Sequence, residues 1–144
     1  MRTRQRLAAY ALVYDDAGRV LLTRQPQGRG LSRWLLPGGG VEQGEHPEQA
    51  VMREVLEETG VSVLVGSLEK VMSDLTRVGR RRRRMHTVRM IYKATLLSSA
   101  PSWSETSLLG HCRWLTPQEC SALSLADFVA VVLSQAQEDF ASDT

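Results

Sequence analysis

Three observations predict an α/β fold in which a mixed sheet is packed between helices. Short apolar runs of strand type recur along the chain, a segment punctuated by proline and glycine near its middle reads as a helix, and an amphipathic helix closes the sequence. The chain has 144 residues, 42% of them apolar. A chain of this size buries roughly two thirds of the surface its unfolded form exposes, so one domain over residues 1–144 can hold itself together without cross-links. Charge is nearly balanced, with 18 Lys+Arg against 16 Asp+Glu. No window approaches the roughly 18 apolar residues that a membrane helix needs, and the basic N-terminus lacks a small-residue cleavage site, so a cytoplasmic protein with no membrane partner is expected. Two cysteines, Cys112 and Cys120, neither staple a fold nor make a four-ligand zinc site, and both are expected to be buried thiols.

The first elements read as strands. Leu7 to Tyr14 and Val20 to Thr23 flank Asp16-Ala17-Gly18, the pattern of a β-hairpin. Gln25 to Ser32 reads as a surface loop. Trp34-Leu35-Leu36 is a short apolar stretch that Pro37 and three glycines, Gly38 to Gly40, bring to an end. Glycines there permit backbone approaches that a side chain would forbid.

The clearest helix starts at Pro47 and stops at Gly60, because proline suits the first helical position and glycine the position past the end. At 100° per residue, Val51, Met52, Val55, Leu56 and Thr59 share a side expected to face the core, and Glu54, Glu57 and Glu58 share the other. Val61 to Leu75 and Thr87 to Leu97 read as a long hairpin whose tip carries Arg80 to Arg84. A loop from Ser98 to Leu109 leads to a short strand, Cys112 to Leu115. Thr116-Pro117-Gln118-Glu119 is a capping box that should open a short helix. The closing helix spans about Leu125 to Glu138, with Val129, Val132, Leu133 and Ala136 on its inner side.

Chemistry concentrates in one spacing. Gly39, Glu45, Arg53, Glu54, Val55, Glu57, Glu58, Gly60 and Val61 form G-x5-E-x7-R-E-U-x-E-E-x-G-U, where U is aliphatic. At average residue usage, a chance match in a chain this long is rarer than about one in a million. The three helix glutamates sit at i, i+3 and i+4, where like charges repel, and in the last turns, where the helix dipole favours cations. Seen alone they would read as a solvated acidic helix end. Set in the full spacing, with Arg53 too little to neutralise three carboxylates, they point to a hard divalent cation. Mg²⁺ takes a few carboxylates together with substrate phosphates and water.

Gly39 to Val61 resembles, without a departure, the box of the MutT/Nudix hydrolase family. The resemblance implies a Nudix fold, an α/β/α sandwich in which the box forms a loop-helix-loop. It also implies hydrolysis, with Mg²⁺ or Mn²⁺, of a nucleoside diphosphate linked to another group. Carried over by position, it implies metal ligation by Glu54, Glu57 and Glu58, commonly with the backbone carbonyl of Gly38. Glu54 or Glu57 would also serve as base, Arg53 would hold a box glutamate, Glu45 would brace the loop, and Gly39 and Gly60 would serve the turns. Glu105 is a candidate for a further base or ligand beyond the box, although a solvated loop glutamate is the simpler reading. Tyr10, Arg24 and Arg33 fall near elements that line the substrate cleft in relatives and are weak candidates for base or phosphate contacts.

Signatures that sort the subfamilies are missing. No proline lies between Gly60 and Pro101, and the region that carries a tyrosine in dinucleoside polyphosphate hydrolases reads Thr76-Arg77-Val78-Gly79. Leu21-Leu22-Thr23-Arg24 only faintly resembles the coenzyme A motif. By elimination, the expected substrate is a small nucleotide of the (d)NTP or housecleaning type. The alternative is a nucleotide-sensing or RNA-binding domain that uses the Arg80 to Arg84 hairpin. Nucleic acid is the less expected partner, because the run has no interleaved aromatics. A homodimer is left open.

Overall fold

The computed structural model describes residues 3–24, 33–79, 83–97 and 111–142. Strand β1 (Thr3–Val13) lies inside a four-stranded mixed sheet of order β3-β1-β5-β4, with β3 (Gly38–Gly40) antiparallel to it, β5 (Arg83–Leu96) parallel, and β4 (Val63–Val78) antiparallel to β5. Strands β2 (Val20–Thr23) and β6 (Cys112–Leu115) form a separate antiparallel pair. Helices α1 (Pro47–Thr59), α2 (Pro117–Ser121) and α3 (Asp127–Ser142) complete the fold.

Successive side chains of a strand point to opposite faces, and β1 buries both. Ala8, Tyr10 and Leu12 enter a core with Leu22, Ile91, Phe128, Val129, Val132 and Leu133. Ala9, Ala11 and Val13 enter a second core with Leu21, Val51, Val55, Val63 and Ala94. Burial on both faces explains why Ala8 to Val13 is continuously apolar instead of alternating, while Leu7 and Tyr14 at the ends of the run are 50% and 41% exposed. Small alanines on the α1 side let the helix come close to the sheet. This is the sandwich that the sequence predicts.

Several boundaries differ from expectation. The turn after β1 forms, with Asp15 accepting from the backbone of Gly18 and its carboxylate from Ala17 and Arg19. Yet the backbones of β1 and β2 bridge only at Tyr14–Val20 and then diverge into different sheets, so they do not make the predicted hairpin. Both strands need apolar partners on each face, and β2 finds its backbone partner in β6. Leu35 and Trp34 make single bridges to Thr23 and Leu125 and no strand. The β4–β5 hairpin is longer than predicted at its tip, with Val78 paired to Arg83, because backbone pairing continues beyond the apolar stretch. Gln25 to Ser32, Arg80 to Arg82, and Ser98 to Leu109 with Glu105 lie outside the described residues.

On α1 the buried residues are Ala50, Val51, Val55 and Thr59. Met52 and Leu56, expected inside, are 38% and 52% exposed. They lie about 100° round the helix from Val51 and Val55, beyond the stripe that contacts the sheet. Helix α3 runs from Asp127 to Ser142 and buries Val129, Val132 and Leu133 as predicted, with Phe128 added. The Thr116 capping box forms with Glu119, and both cysteines are free and buried.

Candidate active site

The glycines of β3 bring the chain against the C-terminal half of α1. Gly38 has φ +149°, and a Cβ there would collide with the backbone of Ala9 and Tyr10, so this position requires glycine. A Cβ on Gly39 would lie 3.0 Å from the Glu54 carboxyl carbon, which shows how closely β3 approaches the helix carboxylates.

Helix α1 is fixed at both ends. At its start the His46 ring accepts from Glu48 N–H, and the Gln49 side chain accepts from His46 N–H. The sequence reading missed this cap, because histidine is not among the usual capping residues and only Pro47 flagged the start. At its end Gly60 adopts φ +73° and donates to the Leu56 carbonyl. Cys112 Sγ donates to the Glu58 carbonyl at 3.1 Å and so ties α1 to β6.

Arg53 is the hub of the box. Its Nε and Nη2 donate to both carboxylate oxygens of Glu45 at 2.8 and 2.9 Å, a two-pronged geometry that only a guanidinium offers. Its Nη1 reaches Glu54 at 2.9 Å and Glu57 at 3.4 Å, and Nη2 also donates to the Gly40 carbonyl at 3.2 Å. Glu42 lies 3.8 Å away. The Arg53 hydrogen bonds hold Glu45 well below the usual carboxylate range, at about 2, and the same bonds to Glu45 and Glu54 push Arg53 up. Glu45 in turn accepts from Glu42 N–H at 3.0 Å, which closes the loop before the helix.

Glu58 stands apart from that hub. It accepts from Gly38 N–H at 3.2 Å. Burial raises its carboxyl to about 8, helped by a hydrogen bond with Glu54 and the charges of Glu54 and Glu57, although the Gly38 N–H favours the carboxylate. Among the described residues, no three Asp, Glu, His or Cys side chains converge into a finished cage. The donor set is nevertheless hard oxygen throughout. Glu54, Glu57 and Glu58 are held on one helix face beside the Gly38–Gly39 backbone, as an ion that completes its shell with phosphate and water requires.

The weaker candidates lie elsewhere. Tyr10 pairs with Gly38, but its side chain is core: it is 7% exposed, and its ring meets Phe128 at 4.9 Å. Arg33 pairs with Asp127 on the surface at 3.1 Å. Arg24 and Arg113 both lie over the Trp34 ring, each 5.7 Å from its centre, an arrangement that the sequence reading did not foresee. Glu105 lies outside the described residues.

Comparison with known proteins agrees with this geometry. A family model described as the NUDIX domain matches residues 4–135. A MutT-like protein of Streptomyces ambofaciens is 33% identical over 125 residues, covering 87% of this chain and 72% of the relative. A nucleoside triphosphatase NudI of Escherichia coli is 42% identical over 64 residues, covering 43% of this chain and 45% of the relative, so the match spans less than half of that protein. The crystal structure of a MutT NUDIX hydrolase from Burkholderia pseudomallei superposes with a TM-score of 0.73 at 26% identity, over 92% of this chain and 98% of that one.

Proposed function

Because the chain belongs to the NUDIX family and is a hydrolase acting on phosphoric anhydrides, we propose that it is a Mg²⁺-dependent (or Mn²⁺-dependent) pyrophosphohydrolase of nucleotides. Its substrate is a nucleoside diphosphate joined to another group, of the (d)NTP or housecleaning type. The observation that carries this reading is the Arg53 hub: one guanidinium spans Glu45, Glu54 and Glu57 while Gly38 N–H holds Glu58, so mutually repelling carboxylates stay gathered. The nucleoside triphosphatase among the matched relatives supports the substrate class.

Members of the family generally use divalent cations, and in this reading Glu54, Glu57 and Glu58, with the Gly38 carbonyl, would hold the ion. Such an ion, when bound, screens phosphate oxygens and lowers the pKa of a water. The chain's own residues do the rest. Arg53 fixes the rotamers of Glu54 and Glu57 and leaves one of them to take the proton of the attacking water. Glu45 anchors Arg53 from the loop side. Gly38 lets β3 pack against the β1 backbone, and Gly39 leaves the Glu54 carboxyl uncovered on the β3 side. Two free buried thiols suit a reducing compartment, which supports the cytoplasmic placement.

The test is a panel of nucleotides incubated with Mg²⁺ and scored for released phosphate and pyrophosphate, with Glu57→Gln and Glu58→Gln beside the parent. Turnover should fall by orders of magnitude in both variants while circular dichroism is unchanged. Near-normal hydrolysis by both would overturn the assignment.

A further inference from the structure

Five arginines that the box does not use gather at one end of the large sheet. There β1, β5 and β4 run on together past the core, and Thr3–Leu7 is exposed along its length. The register sets Arg4 beside Met85 and Arg6 beside Thr87. Strand alternation places Arg4, Arg6 and Arg83 on the face that carries Tyr10. On the opposite face Arg77 sits directly across from Arg84. Like charges directly opposite one another destabilise a sheet unless something neutralises them.

Among the described residues, no ion pair joins any of these five to a carboxylate. The neighbouring Arg89 behaves differently: it pairs with Asp74 and lies over Phe128 at 4.6 Å. Arg6 links the sheet end to the box. Its Nε and Nη2 lie 3.7 Å from where a Gly40 Cβ would stand, and the Gly40 carbonyl is an acceptor of Arg53. Arg4 and Arg6, two residues apart on one face of β1, thus lead from the end of the sheet toward β3.

The geometry points to a second binding site, at the Arg4, Arg6 and Arg83 face with Arg77 and Arg84 behind it, for the phosphodiester backbone of single-stranded nucleic acid. Guanidinium groups bind phosphate oxygens in a two-pronged manner. Same-face residues of a strand recur about every 6.6 Å, comparable to the phosphate repeat of an extended polynucleotide. Charges split between two faces suit a flexible chain that wraps the sheet end better than a flat lipid surface. With no aromatic side chain among these residues, binding is electrostatic, independent of sequence and steeply dependent on salt.

This site lies outside the carboxylate cluster and does not rest on the hydrolase reading. Its test is fluorescence anisotropy with short single-stranded RNA and DNA that carry a 5′-hydroxyl, so that no anhydride is present to be cut. Neutralising five phosphates on a single strand gives a slope of log affinity against log salt of about −3.5. The triple variant Arg77→Gln, Arg83→Gln, Arg84→Gln should flatten that slope to about −1.4, weaken binding at least tenfold at low salt, and leave circular dichroism unchanged. RNA and DNA should bind alike. The proposal is overturned if neither polymer binds with this salt dependence, or if the variant binds as the parent does. A more than tenfold preference for one polymer, or binding to phosphatidylserine vesicles alone, would overturn it as well.

Discussion

Two adjacent glycines should fail in different ways when each is replaced by alanine. At Gly38 the added carbon would fall 2.6 Å from Tyr10 Cα and collide with the Ala9 carbonyl. Both obstacles are backbone, so relief means parting β3 from β1. Overpacking of this kind costs about 1–3 kcal/mol. The φ of +149° adds strain of about 1–3 kcal/mol for a residue with a Cβ. Together, about 2–6 kcal/mol is a large share of the roughly 5–15 kcal/mol that holds a domain folded. At Gly39 the nearest atoms belong to the Glu54 carboxyl, at 3.0–3.1 Å, and φ is unremarkable. A side chain can move by a few tenths of an ångström, so Gly39→Ala should cost at most about 1 kcal/mol in stability. That carboxyl is pinned by Arg53 at 2.9 Å, however, and displacing it should lower kcat about 10- to 100-fold. Urea unfolding followed by circular dichroism, paired with nucleotide hydrolysis, separates the two outcomes. A Gly38→Ala protein as stable as the parent would refute the β1–β3 register. Full kcat in Gly39→Ala would refute the placement of Glu54 at the reacting centre.

Arg53→Lys keeps the charge but loses the fork. It cannot hold both Glu45 oxygens and Glu54 together, so kcat should drop at least tenfold while the far-UV spectrum stays the same. Glu45 is depressed from an ordinary 4.5 to about 2, so its contribution to stability is complete above about pH 4.5 and is lost as the pH falls toward 2. The stability difference between the parent and Glu45→Gln should therefore shrink over that window in acid unfolding curves, and a difference constant with pH would contradict the pairing. Phe128→Ala removes the ring between Tyr10 and Arg89 and should cost about 3–5 kcal/mol in urea unfolding. Chelation with EDTA should abolish hydrolysis, with activity restored by added Mg²⁺ or Mn²⁺.

The elements that were legible in the sequence are those whose cause is local. Pro47 and Gly60 bound α1 because each satisfies a backbone requirement at its own position, and Thr116 with Glu119 opens α2 for the same reason. What the sequence could not show depends on partners far along the chain. Nothing near Val20 to Thr23 says that its backbone will pair with Cys112 to Leu115 instead of continuing from β1. Met52 and Leu56 have the spacing of core residues, yet the sheet beneath α1 contacts a stripe too narrow to include them. Periodicity fixes which residues share a side, and only the neighbour's width decides how many are covered.

The site was legible in identity, while its internal order was not. The spacing from Gly39 to Val61 names the carboxylates, and the resemblance sets Glu45 apart as the loop brace, but which glutamate Arg53 holds and how Glu54, Glu57 and Glu58 differ come only from the structure. Glu45 belongs to Arg53 with two hydrogen bonds, Glu54 is shared between Arg53 and Glu58, and Glu58 is held by Gly38 N–H, its carboxyl raised by burial. One guanidinium against four nearby carboxylates leaves the cluster short of positive charge, although Arg4, Arg6, Arg77, Arg83 and Arg84 form no ion pair among the described residues. Arg4, Arg77, Arg83 and Arg84 stand at the end of the sheet, and Arg6 reaches the box strand at Gly40 without pairing to a carboxylate among the described residues. A near-zero net charge thus conceals, among the described residues, two regions of opposite sign, an acidic one along α1 and a basic one at the end of the sheet.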